Sequence, residues 1–404
     1  MKDILIFLSS VGLQSYSLTN LANQYDLILV TDEKETPNLT QQIQQYFTQI
    51  IISHSGTYCG PIISLDIQAT LPLLQNCIKQ YASHQIHIIN TSEANTVVAA
   101  ELREHFDIHG MKPCDARCFT DKALMKATAE EHGINTAKSL TLSHHYDDLA
   151  GYLGESFIVK PVDAAGSFAV EIIHSQEELN RYHAKYATDE GQFLAEAFIS
   201  GTMYHADFVI YNTKPIFRAC SEYLYPNLDF KSGKHLSSFP VFDKDIQSKI
   251  FDFTNHCLKA LGYHDGIYHL ELFIQDGECV FLEVGARIPA AMVVKMYEVT
   301  YGINIADLSA AVLSQSHTKS VQQKVTGEYF IWSYLAKSEG RIRKLSLPDF
   351  NSDYDIQWEV EAGQLTHHSQ SIIDRVGVLT SQSHHLESIQ EDFEHLREYQ
   401  PTVF

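Results

Sequence analysis

The residues from His269 to Arg287 constrain this chain more than any other stretch, because they specify a hairpin and place two carboxylates on it. Short apolar runs at 270–274 and 279–282 flank Asp276-Gly277, a pair that favours a tight antiparallel turn. Alternate residues of a strand share a face. His269 and Glu271 therefore point one way, and Glu283, Gly285 and Arg287 point together on the partner strand. An even loop register would set Glu271 opposite Leu282 and send the two carboxylates to opposite faces. A three-residue loop, Asp276-Gly277-Glu278 with a bulge, sets Glu271 opposite Glu283. We expect that odd register, because facing carboxylates suit a hard divalent cation such as Mg²⁺. Arg287, four residues after Glu283, would then hold an anion beside the metal. Taken alone, the two glutamates read equally well as exposed positions on a half-solvated hairpin.

The 404 residues suggest two to three domains or subdomains, and 45% hydrophobic with 20% charged residues is ample for a soluble core. A formal charge of −21 argues against general nucleic-acid binding and against an anionic membrane surface as partner. Such a chain binds nucleotide only where a few Lys or Arg residues and a metal reverse the local field. Seven cysteines without paired spacing imply no disulfide framework, and Cys114 and Cys118 lack a second pair to complete a zinc site. The apolar start is too short for a signal-peptide core and no run is long enough to span a bilayer, so a reduced, cytoplasmic setting is expected. The adjacent histidines His144-His145, His367-His368 and His384-His385 point apart in any regular element and read as surface residues.

Buried strands are expected at 4–8, 27–31, 49–52 and 86–89, with helical periodicity at 70–81 and 93–105. That alternation implies a parallel, doubly wound sheet. Ser9-Ser10-Val11-Gly12 is no dinucleotide fingerprint, so this lobe is expected to serve a substrate site at its strand ends. After a linker around 109–113, a helix capped by Thr120 or Asp121 ends at Gly133. Helices follow at about 245–261 and 290–299. Beyond 314 the pattern turns strand-rich (327–334 and 356–360) and closes with a polar helix at 385–399.

Residues 156–167 form a second constellation: a buried strand, Lys160, and the small-residue loop Ala164-Ala165-Gly166-Ser167. Small residues let backbone N–H groups approach phosphate oxygens, while the lysine supplies charge. It is not a P-loop, since the lysine precedes the loop. Residues 193–208 read as an apolar strand, a turn at Ser200-Gly201 and a returning strand, a hairpin-like unit able to offer backbone groups to an adenine edge.

Lys122, Lys160 with its loop, Glu196, and the Glu271/Glu283/Arg287 hairpin occur in an order that resembles the ATP-grasp superfamily of carboxylate–amine ligases. The stretches Val159 to Ser167, Tyr301-Gly302-Ile303-Asn304-Ile305 and Asp374-Arg375-Val376-Gly377 look most like its L-amino-acid ligase and dipeptide-synthetase branch. The resemblance implies an α/β protein with the ATP-grasp fold. It divides the chain into an N-terminal Rossmann-like lobe (1–112), an ATP-grasp domain (113–315) and a strand-rich C-terminal lobe (316–404). The middle domain would comprise a small mobile subdomain at 120–193 and a Mg/ATP subdomain at 194–315.

By position, Lys122 and Lys160 resemble the lysines that hold ATP phosphates, and Gly166 and Ser167 fall in the loop that closes over them. Glu196 and the Ala197, Phe198 and Ile199 backbone resemble the adenine-seating hinge. Glu271 and Glu283 resemble the acids bridging two Mg²⁺ ions (or Mn²⁺), and Arg287 the arginine on the transferred phosphate. Arg218 and His269 are further substrate-contact candidates. Two departures stand out: Met203 where many members carry an acid for the ribose, with Asp207 four residues on, and Gly285 in place of an Asn metal ligand.

The implied reaction phosphorylates a carboxylate, an amino acid by expectation, to an acyl phosphate and joins it to an amine, releasing ADP and phosphate. Partners are then small molecules, with a homodimer as the assembly suggested by analogy. A bicarbonate-using carboxylase, an ATP-binding module without turnover, and a ligase acting on a protein acceptor are the alternatives.

Overall fold

A computed structural model describes residues 2–81, 83–186, 191–317 and 321–404, which include every candidate site residue. The N-terminal lobe carries a four-stranded parallel sheet in the spatial order Phe47–Ser53, Asp26–Asp32, Ile4–Leu8, Ile86–Asn90. Strand Ile4–Leu8 is wholly buried, as a central strand covered on both faces should be. The helices Ile67–Ile78 and Thr96–His105 answer the expected periodic segments, the first capped by the Asp66 carboxylate.

Two antiparallel sheets follow. The smaller has the order Ser139–Thr141, Phe193–Ala197, Phe157–Pro161, Glu171–Ile173. The larger has five strands in the order Ser238–Pro240, Lys214–Tyr223, Thr202–Tyr211, Gly266–Gln275, Glu278–Gly285. Phe193–Ala197 and Thr202–Tyr211 therefore do not pair, which corrects the expected hairpin over 193–208. Each strand finds its hydrogen bonds in a different sheet, and residues 198–201 are the crossing between the two.

Asp121 caps the helix Lys122–Glu131 by accepting from Ala123 and Leu124 N–H. The helix expected at 290–299 lies at Val293–Tyr301, because residues 286–292 are taken up by the turn that carries Arg287. The last lobe is a three-stranded sheet, Tyr329–Ala336, Arg375–Ser383, Asp353–Trp358, covered by helix Leu386–His395. All seven cysteines are free, and the six paired histidines are exposed. No helix among the described residues is long and apolar enough to cross a membrane.

Candidate active site

The cleft between the two antiparallel sheets encloses about 1000 Å³ including its open mouth. Lys122, Lys160, Gly166, Ser167, Glu196, Ala197, Phe198, Ile199, Met203, Glu271 and Glu283 all line it. Arg287 and His269 border an adjoining recess that shares Lys122, Glu271 and Glu283. Arg218 does not join them. It is exposed on the helix-covered face of the five-stranded sheet, its guanidinium 4.9 Å from the Phe251 ring centroid, because it pairs with Phe208, which points away from the cleft.

The hairpin sets Glu271 directly opposite Glu283, but by a different device from the loop expected. The turn is the two-residue Asp276-Gly277, both at positive φ (51° and 82°), with Gln275 pairing Glu278 in the even register. The register then shifts between Glu271 and Leu272, leaving Leu282 as the extra residue of a bulge. The bulge breaks alternation, so the neighbours Leu282 and Glu283 both line the cleft, one apolar and one acidic.

Lys160 is the penultimate residue of its strand and Lys122 opens its helix, both nearly fully buried. Lys122 Nζ donates to Ala164 O in the small-residue loop at 2.6 Å and lies 3.7 Å from Glu283 Oε2, so one ammonium ties loop to hairpin. Lys231 Nζ holds the same loop by donating to Ser167 O and Val170 O.

Glu196 lies between two ammoniums, with Lys160 Nζ 3.0 Å from Oε2 and Lys126 Nζ 3.3 Å from Oε1. Burial alone would raise its carboxyl pKa, but the two lysines outweigh that and hold it below the usual range. Both side-chain oxygens thus serve the lysines. The adenine contact that the resemblance implies for the Glu196 side chain would have to share those oxygens with the lysines, and Glu196 still lines the cleft. Lys126 was missed, though its signal was available: it sits four residues from Lys122 on the same helical face.

Arg287 is gripped from the N-terminal lobe, its Nε and Nη2 donating to Glu93 Oε2 at 3.2 and 3.0 Å. Glu93 follows strand Ile86–Asn90, at the carboxyl end of the parallel sheet, where ligand sites of open α/β sheets form. Burial alone would lower the Arg287 pKa, but Glu93, Glu271 and Glu283 together raise it. Gly285 makes room for this arginine, since a Cβ there would stand 3.3 Å from Arg287 Cγ.

Met203 is buried in the cleft wall, while Asp207 on the same strand face is fully buried beneath the floor and lines no part of the cleft. Asp207 instead accepts from His205 Nδ1 and His269 Nδ1, both at 2.7 Å, and from Tyr297 OH at 2.9 Å. Asp207 stood out in the sequence only as the acid four residues after Met203, and His205 was not singled out. Tyr223 and Asn227, which donate to Glu271 Oε1 at 2.8 and 2.9 Å, carried no signal at all.

Residues 153–295 match the family model of the ATP-grasp domain. That stretch is an ATP-grasp domain. The chain is 26% identical over 214 residues to dapdiamide A synthase of Enterobacter agglomerans, covering 48% of each chain. It spans less than half the length of the curated relatives it matches. Its fold is that of an L-amino acid ligase from Bacillus licheniformis (TM-score 0.73, 14% identity, 100% of this chain and 99% of the other). It is also that of N5-carboxyaminoimidazole synthetase from Staphylococcus aureus complexed with ADP (TM-score 0.67, 12% identity, 98% of both chains). The ATP-grasp fold accounts for the two antiparallel sheets facing across one cleft.

Proposed function

We propose that the chain is an ATP-dependent ligase that phosphorylates a carboxylate, expected to be that of an amino acid, and joins the acyl phosphate to an amine with release of ADP and phosphate. One observation carries this reading: opposed Glu271 and Glu283 share a cleft with Lys122 and Lys160, and Arg287 stands next to them. Two carboxylates facing two ammoniums and a guanidinium are the two halves of a triphosphate-and-cation site in a chain of net charge −21.

The donors fit a hard cation such as Mg²⁺ or Mn²⁺. Glu271 Oε1 is held by Tyr223 and Asn227, and among the described residues no hydrogen bond falls on Oε2. Glu271 and Glu283 would hold the metal, which supplies charge neutralisation of the phosphates when bound. Lys160 and Lys122 would position the phosphate chain, and the loop at 164–167 would close over it. Adenine would lie along the backbone of 197–199, between Met203, Leu282 and Phe198.

A carboxylate is a poor electrophile until its oxygen takes the γ-phosphoryl group, the bond from that phosphorus to ADP breaking as the acyl phosphate forms. Arg287 would hold that group while the amine attacks the acyl carbon, the C–N bond forms, and the C–O bond to phosphate breaks. The test is ADP and phosphate release from MgATP with amino acids singly and in pairs and with bicarbonate, assaying AMP and pyrophosphate in parallel. ADP formation that depends on a particular amino acid is expected. Bicarbonate dependence without any amino acid would replace the reading by carboxylation.

A further inference from the structure

Beneath the cleft floor lies a buried polar chain that the proposed chemistry does not use directly. Asp207, His205, His269 and Tyr297 occupy interior positions otherwise filled by hydrophobic side chains. Burying so many polar groups is unfavourable unless each is satisfied, and here they satisfy one another. Asp207 takes three donors, and His205 Nε2 continues the chain to Ser238 Oγ at 3.0 Å. With Nδ1 bound to Asp207, the His269 ring has only one orientation, and it directs Nε2 towards Glu271 Oε1 at 3.6 Å.

We propose that Asp207 and His269, with Tyr223 and Asn227, are positioning residues that fix the rotation of the Glu271 carboxylate so that Oε2 alone faces the cation. This rests on the metal reading of the cleft. The asymmetry at Glu271 supports it: Tyr223, Asn227 and His269 all converge on Oε1 and none on Oε2. The three groups come from three separate segments: strand Lys214–Tyr223, the turn Asn227–Ser232, and the hairpin strand itself. A carboxylate held that way cannot swing its second oxygen away from the cleft. Ligating carboxylates need such partners, and losing one typically weakens metal binding about 10–100-fold.

The test counts Mn²⁺ by electron paramagnetic resonance with a non-hydrolysable ATP analogue, and measures metal-free affinity for the analogue in parallel. Tyr223→Phe and His269→Asn are expected to weaken Mn²⁺ by about tenfold or more. Metal-free nucleotide affinity should stay near wild type, and the protein should stay folded even where losing a donor to Asp207 or Glu271 lowers the melting temperature. His269→Gln, whose amide reaches towards the place of Nε2, is expected to recover most of the loss. Asn and Gln variants that both bind Mn²⁺ like wild type would overturn the proposal. So would losses that appear only together with collapsed nucleotide affinity and melting temperature.

His205, Asp207 and His269 also offer ligand atoms within 4.8 Å of one another. A further Mn²⁺ equivalent lost on His205→Asn would make the trio a metal site and overturn the positioning role. Glu283→Gln separates the two levels. If it removes no Mn²⁺, the metal reading falls and the positioning role with it. If it does while the His269 variants bind normally, only the positioning role falls.

Discussion

Replacing Glu196 by glutamine tests whether the buried lysines are held by charge or merely packed. The wild-type carboxylate and its partners Lys126 and Lys160 have side chains only 2–6% exposed, so none of the three can turn to solvent. Glutamine keeps the shape and removes the charge, leaving two ammoniums facing each other. Breaking a buried pair in this way costs about 3–5 kcal/mol, against a typical folding free energy of about 5–15 kcal/mol. At about 2–4 °C per kcal/mol for a cooperative unit of 150–250 residues, the melting temperature should fall by roughly 6–20 °C. Saturating a non-hydrolysable ATP analogue should narrow the gap, because phosphate returns negative charge to Lys160. The assay is thermal and urea unfolding with and without the analogue. In the double variant Lys126→Met/Glu196→Leu the apolar replacements remove one ammonium along with the carboxylate, and at least half of the loss should return. A Glu196→Gln variant within about 1 kcal/mol of wild type would refute the reasoning.

Glu283→Ala and Arg287→Ala should abolish ADP release while shifting the melting temperature by only a few degrees; near-wild-type turnover in either would make the metal and phosphate assignments wrong. Lys231→Met frees the carbonyls of Ser167 and Val170, and is expected to raise KM for ATP several-fold and open the 164–170 loop to limited proteolysis, with kcat less affected. His235 is buried as the neutral ring, accepting from Ala336 N–H at Nδ1 and donating from Nε2 to Tyr399 O, and burial pulls its pKa from 6.5 to about 4. The unfolded chain therefore takes up this proton below 6.5 and the folded chain only near 4, so stability is lost as pH falls through that window, by about 3 kcal/mol. Urea unfolding between pH 4 and 7 should show His235→Gln with a flatter slope than wild type, and an unchanged slope would contradict this.

Much of the architecture was legible because period and composition encode it. Strand 4–8 is an unbroken apolar run, 86–90 is apolar at three of its five positions, and Asp121 stands as a cap before an amphipathic stretch. Residues 193–208 misled for a physical reason. A strand, a turn and a strand look the same whether the second strand pairs with the first or with a neighbour far along the chain, and here Thr202–Tyr211 pairs with Gly266–Gln275. Lys126 and Arg218 are a matched pair of surprises. Both are ordinary long cations in sequence, yet one is buried against Glu196 and the other exposed over Phe251.

The sequence by itself determined the helix–strand alternation, the Asp-Gly turn, and the order in which the lysines, the small-residue loop and the two glutamates arrive at the cleft, because these depend on backbone preferences and spacing. Only the tertiary structure decided which partner each charge finds. The Leu282 bulge sets two adjacent side chains on one face, Glu93 crosses from another lobe to grip Arg287, and Asp207 gathers two histidines and a tyrosine under the floor. Such contacts join residues up to 194 positions apart. No local preference encodes them, and they exist only once packing has brought distant segments within the few ångströms over which hydrogen bonds and ion pairs act.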